Sequence, residues 1–162
     1  MRYCQLDRLI ALEPGRRLVA QRTMGSEEDF LQDHFPNFPV MPGVMMLEAL
    51  HQAAIWMIRT GDDFQSPLVM LREARSVKFG DFLAPGETLD VNVELLKQEE
   101  TVFTVKATAK KNGKVTVSAR LILEKCSTEQ PEWIGTDEIV RDLARKKFTE
   151  LYGSIPLSNS NK

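Results

Sequence analysis

The sequence predicts an α+β domain, a long curved antiparallel sheet wrapped round one buried central helix, with an amphipathic helix added at the C-terminal end. Three observations predict it. First, the continuous stretch VMMLEALHQAAIWMI at 44–58 is apolar on almost every side, and a helix of that kind is a buried one. Second, the period then changes to two. Leu89, Val91, Val93 and Leu95 alternate with polar residues, as do Phe103, Val105, Ala107 and Ala109, and then Val115, Val117, Ala119, Leu121 and Leu123, giving three half-buried strands. Third, Ile139, Val140, Leu143, Phe148, Leu151 and Tyr152 fall on one helical stripe. A buried helix and a meander with one apolar face pack most economically when the sheet curves round the helix.

In chain order, RRLVAQRTM (Arg16 to Met24) follows a Glu13-Pro14-Gly15 turn and is rich in strand formers. GSEEDFLQD is a polar connection. Pro42 suits the first turn of the buried helix, where its missing N–H costs nothing, and Gly61 is expected to end that helix. A further strand lies within Pro67 to Phe79, followed by the turn Ala84-Pro85-Gly86. Lys111-Asn112-Gly113-Lys114 is a hairpin turn, because Asn-Gly accepts the positive φ angles of type I′. Residues 127–136 (STEQPEWIGT) read as a linker and Thr136 as an N-cap with Asp137 and Glu138 behind it. Gly153 is expected to cap the last helix, and PLSNSNK is expected to be disordered. The division is therefore a domain at 1–126 and a linker, helix and tail at 127–162. The whole describes the hotdog architecture.

The 162 residues suffice for one domain with a core, and 43% apolar with 27% charged residues is an ordinary globular balance. A net charge of -2 gives no global reason to expect nucleic acid or an acidic membrane surface. The start has no apolar segment of a secretory signal, and no stretch is long enough to span a bilayer. Cys4 and Cys126 lack metal-ligand spacing, so no metal and a reduced, cytoplasmic setting are expected.

Chemistry concentrates in residues 34–52, HFPNFPVMPGVMMLEALHQ. Pro36, Pro39 and Pro42 fix their own φ and hold their predecessors extended, so little ordering entropy remains to be lost. This stiff segment joins His34, an imidazole suited to act as a base, to a helix whose single acid is Glu48. Gly43 and Val44 stand at the helix start, where N–H groups are unpaired and the macrodipole is positive. A carbonyl gaining negative charge could be held there. Glu48, His51 and Gln52 share one helix face. Burial is expected to raise the Glu48 pKa and make it a proton donor. Taken alone, Glu48 also fits a structural carboxylate bonded to backbone, or a face that meets solvent at an interface. Base, acid and oxyanion donor together describe proton abstraction beside a carbonyl with loss of a β-substituent.

The pattern HFPxxPxMPGVxxLEALxQ resembles the signature of the FabZ-type β-hydroxyacyl-acyl carrier protein dehydratases. The likeness runs over residues 1–125 and includes DRLIALEPGRR and LREARSVKF. It implies that His34 takes the α-proton of a 3-hydroxyacyl thioester and that Glu48 protonates the departing hydroxyl, giving a trans-2-enoyl thioester and water. Gly43 N–H, or that of Val44, would bind the thioester carbonyl, and Gln52 would orient the acid. In the related FabA group, which also isomerises the double bond, the acid is usually Asp, so Glu48 favours plain dehydration. The resemblance further implies a homodimer with histidine and acid from opposite subunits, and assembly of dimers into trimers. No metal or organic cofactor is implied, and the partner is an acyl carrier protein in fatty acid biosynthesis. Such carriers are acidic, which makes Arg16, Arg17, Arg22, Arg72, Arg75 and Lys78 candidates for docking. Met45, Met46, Leu50, Phe79, Phe82 and Leu83 are candidates to line the acyl tunnel.

Three residues depart from the family pattern. Asn37 stands where Gly is usual, and it tolerates left-handed φ better than most. His51 stands where a small residue is usual. It reads first as a packing or interface histidine and second as a proton shuttle. The run Lys78-Phe79-Gly80-Asp81-Phe82 lacks a family Arg-Pro pair. Two other readings remain open: a hotdog thioesterase or coenzyme A hydratase, and a non-catalytic subunit that binds acyl chains. The joint presence of His34 and Glu48 argues against the last.

Overall fold

The computed structural model describes residues 3–127 and 136–152. Among them are strands β1 (Arg8–Glu13), β2 (Arg17–Thr23), β3 (Leu68–Phe79), β4 (Thr88–Glu99), β5 (Val102–Lys111) and β6 (Lys114–Cys126), with helices α1 (Gly43–Gly61) and α2 (Thr136–Tyr152). The strands form one antiparallel sheet in the order β1-β2-β4-β5-β6-β3. Helix α1 packs against β2, β3, β4, β5 and β6. A helix about 10 Å across laid along a flat sheet with strands about 4.8 Å apart would meet two or three of them. Contact with five fits a sheet curved round the helix, which is the hotdog arrangement expected from the sequence.

The period-two pattern places the core. Leu89, Val91 and Val93 of β4, Val105, Ala107 and Ala109 of β5, and Leu121 and Leu123 of β6 are all fully buried against α1. The alternation fails where the ladder shifts. A shift between Leu95 and Lys97 ends the buried run of β4, with Leu95 only half-buried and Leu96 exposed. Another beside Lys110 leaves Val115 exposed and buries Thr116 in its place, against expectation. Asn112 (φ 50°) and Gly113 (φ 79°) make the type I′ turn between β5 and β6.

Both sheet edges hide their periodicity. Strand β1 was not expected. Its bulge between Leu9 and Ala11 sends Leu9 and Leu12 inward and leaves Ile10 exposed, so no two-residue repeat survives. Strand β3 carries two register shifts, Leu71 to Glu73 and Arg75 to Lys78, and Ser76 sits at φ 51°.

Gly61 is the last residue of α1, as expected. It is not left-handed; the left-handed residues follow it, Asp63 (φ 51°) and Phe64 (φ 61°). Glycine is needed because the β1–β2 turn lies against this end of the helix. A Cβ on Gly61 would stand 2.5 Å from Gly15 Cα, and Gly15 N–H donates to Met57 O at 3.0 Å. Gly61→Ala is expected to destabilise the fold by about 1–3 kcal/mol through overpacking against rigid backbone. Chemical denaturation checks this, with an unchanged midpoint as the contrary result.

Helix α2 docks at the same end. Phe148 packs against Trp56 (5.9 Å between centroids) and Phe64 (5.5 Å), and Ala144 is buried beside them. Arg141 Nε donates to Gln65 O at 2.7 Å and an Arg145 amine to Asp63 O at 2.8 Å. The expected stripe is only half used: Phe148 and Leu151 pack on the core, while Ile139 and Leu143 are exposed. Of the expected linker at 127–136, residues 128–135 lie outside the described residues, as do the Gly153 cap and the PLSNSNK tail. Among the described residues no helix is long and apolar enough to cross a membrane.

Candidate active site

The prolines shape a small closed loop. Phe35 and Phe38 exchange backbone hydrogen bonds (3.1 and 3.0 Å) across Pro36-Asn37, and Val40 N–H donates to His34 O at 3.2 Å. The His34–Phe35 peptide is cis. Asn37 does not adopt a left-handed φ, so the loop makes no use of that tolerance. The loop returns the imidazole to its own backbone, and His34 Nδ1 lies 3.0 Å from Val40 O. A carbonyl only accepts, so Nδ1 carries the hydrogen. In the neutral ring the lone pair is then on Nε2, the arrangement a base needs.

Three residues after Val40 the chain enters α1. Met41 N–H pairs with Leu83 O (2.8 Å), and Pro42 O accepts from Met45 (2.9 Å) and Met46 (3.4 Å). The helix therefore makes no use of the N–H groups of Gly43 and Val44, and its positive end is directed out of the fold. The Phe79 ring lies over this end. A Cβ on Gly43 would be 2.9 Å from Phe79 Cε1, so glycine lets the ring approach the helix backbone. Phe82 meets Phe38 edge-on at 5.4 Å. Phe35, Phe38, Val44, Phe79 and Phe82 are all substantially exposed, an apolar surface round the base and the helix start. Of the tunnel candidates, Met46, Leu50 and Leu83 are core, Met45 is half-buried, and Phe79 and Phe82 lie on this surface.

Glu48 is less buried than expected, with 42% of its side chain exposed. Its two oxygens have separate donors. Gln52 Nε2 donates to Oε1 at 2.9 Å, and His51 Nδ1 lies 3.0 Å from Oε2. The expectation of a raised pKa is corrected accordingly. The hydrogen bond from His51 holds the carboxyl below its ordinary value, and with that from Gln52 it outweighs partial burial. Gln52 is itself fixed, since its Oε1 accepts from Gln5 N–H (2.8 Å) and its Nε2 also donates to Tyr3 O (2.7 Å).

Within one chain no hydrogen bond or ion pair joins His34 to Glu48. What connects their surroundings is Arg22, which was expected on the surface as a docking cation. It is fully buried, paired with Glu28 and, at 3.9 Å, with Asp7, and it donates to Gln5 Oε1 at 3.3 Å. Glu28 stands directly before the turn Asp29–Gln32 that leads to His34, its backbone O accepting from Leu31 N–H, while Gln5 N–H holds Gln52. One cation thus ties the base-bearing loop to the support of the acid. A buried Arg with two carboxylates has no local sequence signature, so this network was missed. The other proposed cations are exposed, with Arg72 paired to Glu124 (2.5 Å) and Arg75 to Glu73 (2.7 Å). Two polar surface cavities, about 420 and 480 Å³, are lined by neither His34 nor Glu48. Among the described residues no cluster of His, Cys, Asp and Glu is placed to hold a metal.

A family model described as a FabA-like domain matches residues 2–120. The 3-hydroxyacyl-[acyl-carrier-protein] dehydratase FabZ of Levilactobacillus brevis is 39% identical over 116 residues, covering 72% of this chain and 78% of that protein. Its counterpart of the same name from Anaeromyxobacter sp. is 35% identical over 132 residues, covering 79% and 84%. Among solved structures, the dehydratase heterocomplex ApeI:P from Xenorhabdus doucetiae aligns with a TM-score of 0.64 at 21% identity, over 82% of this chain and 89% of that one. A hypothetical thioesterase with coenzyme A from Streptococcus pneumoniae aligns with a TM-score of 0.58 at 8% identity, over 75% and 87%. Both structural likenesses speak to the fold alone.

Proposed function

The chain belongs to the FabA-like family, and on that premise we propose that it is a 3-hydroxyacyl-acyl carrier protein dehydratase, a hydro-lyase of fatty acid biosynthesis, with His34 as base and Glu48 as acid. The observation that carries the assignment of the base is the contact of His34 Nδ1 with Val40 O, which leaves Nε2 free to accept a proton. His34 Nε2 takes the proton from the carbon beside the thioester carbonyl. The carbonyl oxygen gains negative charge and is held by the N–H of Gly43 or Val44 at the positive end of α1. The bond from the next carbon to its hydroxyl breaks, and that oxygen takes a proton from Glu48 and leaves as water. Glu48 has the hydrogen bonds of an anion when substrate is absent. A bound acyl chain displaces water from it, and this burial works toward the protonated form.

Dehydration needs one proton on the His34–Glu48 pair, placed on Glu48. Hydration needs the same proton on His34. The two forms carry equal charge, so pH does not alter their ratio, and rate against pH is a bell in either direction. The low-pH limb falls below the ordinary carboxylate value of 4.5, because Glu48 is held lower than that.

We infer that the site lies between two copies and that dimers assemble into trimers; the lack of a hydrogen bond or ion pair between His34 and Glu48 and the apolar surface round the base support a shared site. Co-expressed His34→Ala and Glu48→Gln protomers are expected to regain turnover, because each mixed dimer keeps one intact pair. Two inactive pure dimers and an inactive mixture would reject the shared site. The carrier is placed at the rim, where exposed Lys78 adjoins Phe79. The reaction is placed in the cytoplasm, where Cys4 and Cys126 remain thiols.

Mass spectrometry of a 3-hydroxyacyl carrier protein incubated with the enzyme tests the assignment. Loss of one water from the carrier-bound acyl group is expected. Release of the carrier's free thiol would identify a thioesterase instead, and an unchanged acyl group would reject catalysis on that substrate.

A further inference from the structure

Resting on that reading, we propose that His51 is a positioning residue for the acid. It clamps Glu48 from the side opposite Gln52, so that each carboxylate oxygen has its own donor and the carboxylate is kept as an anion between turnovers. The spacing supports a clamp: Glu48, His51 and Gln52 lie at i, i+3 and i+4, so both partners sit on the turn after the carboxylate. His51 Nδ1 is 3.0 Å from Oε2 and Gln52 Nε2 is 2.9 Å from Oε1.

The protonation of the ring follows from its surroundings. Nε2 is shut off from solvent and has no partner among the described residues. A buried N–H without an acceptor, on a charged ring, costs more than a buried lone pair. Nδ1 therefore carries a hydrogen and is a fixed donor to Glu48, and Nε2 has no acceptor among the described residues through which to relay a proton. No other charged group pairs with either residue. Among the described residues, the N-terminal segment contributes Tyr3 O and Gln5 N–H, and both act on Gln52.

The balance of the step is unchanged by this role. The proton on the departing water comes from Glu48 and that on His34 from the substrate, and His51 neither gains nor loses one. A packing histidine would leave the titration of Glu48 where it is, whereas a positioning histidine moves it.

The test compares His51→Ala and His51→Asn with wild type, following the ¹³C signal of the Glu48 carboxyl through a pH titration and kcat and KM for hydration of an enoyl thioester. Asparagine can place an N–H where Nδ1 stands, but it cannot carry the proton of a ring. Glu48 is expected to titrate higher in His51→Ala than in wild type, with the low-pH limb of the rate moving up with it. The same variant should lose about ten-fold in kcat with KM little changed, as for one hydrogen bond to a charged group. His51→Asn should recover most of both. An unmoved Glu48 titration in His51→Ala would overturn the clamp. So would a His51→Asn protein as slow as His51→Ala, which would make the ring a proton carrier. The carboxyl titration needs no turnover, so it judges the clamp even if the substrate assignment fails.

Discussion

His34→Ala is expected to lower kcat/KM for dehydration by about 10³-fold, within the range that a positioned general base contributes. Little else should change. The ring is half-buried at the surface and its one hydrogen bond, to Val40 O, contributes about 1 kcal/mol. The loop retains the Val40-to-His34 and Phe35–Phe38 backbone bonds without it. His34→Asn separates position from chemistry: an amide N–H can still reach Val40 O, but there is no lone pair of imidazole basicity to take a proton. Both variants should melt near wild type and be equally inactive. Turnover in His34→Asn close to wild type would mean that His34 only braces the loop.

Glu48→Gln is expected to cost a similar factor, about 10²–10⁴, by removing the proton proposed to leave with the hydroxyl. The amide has the same shape and its oxygen can still accept from Gln52, while its NH2 replaces the oxygen that faces His51 Nδ1. The variant also checks the charge of the site. The Glu48 pKa is lowered in the folded chain, so the carboxylate contributes stability above its unfolded value, and this is lost as pH falls through the folded one. The contribution is small, since 42% of the side chain is exposed to solvent screening. Glu48→Gln should accordingly show a slightly flatter fall of stability between neutral and acidic pH. A variant that keeps wild-type kcat would remove Glu48 from the reaction.

The sequence was most legible where one face is buried without interruption. α1 and the inward residues of β4, β5 and β6 followed from period alone, because each buried position there repeats against a continuous core. Legibility failed where the ladder shifts. The bulge at Ile10 hid β1, and the irregularity beside Lys110 exchanged Val115 for Thr116. Gly61 ends α1 as its residue type suggests, but its need for a bare Cα comes from Gly15, 46 positions away in the chain, and no local rule reports such an approach. In the site, the sequence pointed to the residues of one helix face and to the stiff loop before it. It did not reveal that His51 turns toward Glu48, because burial alone pushes a carboxyl up and only the partner reverses the sign. Nor could it reveal Arg22, whose partners lie on segments that come together only in the fold.

The most direct test of the central account is the hydration of a short trans-2-enoyl thioester by wild type and His34→Ala, offered on acyl carrier protein and on coenzyme A, with ultraviolet absorbance and free thiol read together. The account predicts loss of enoyl absorbance without thiol release in wild type alone, faster on the carrier protein. Thiol release by both proteins, or equal loss of absorbance in His34→Ala, would contradict it.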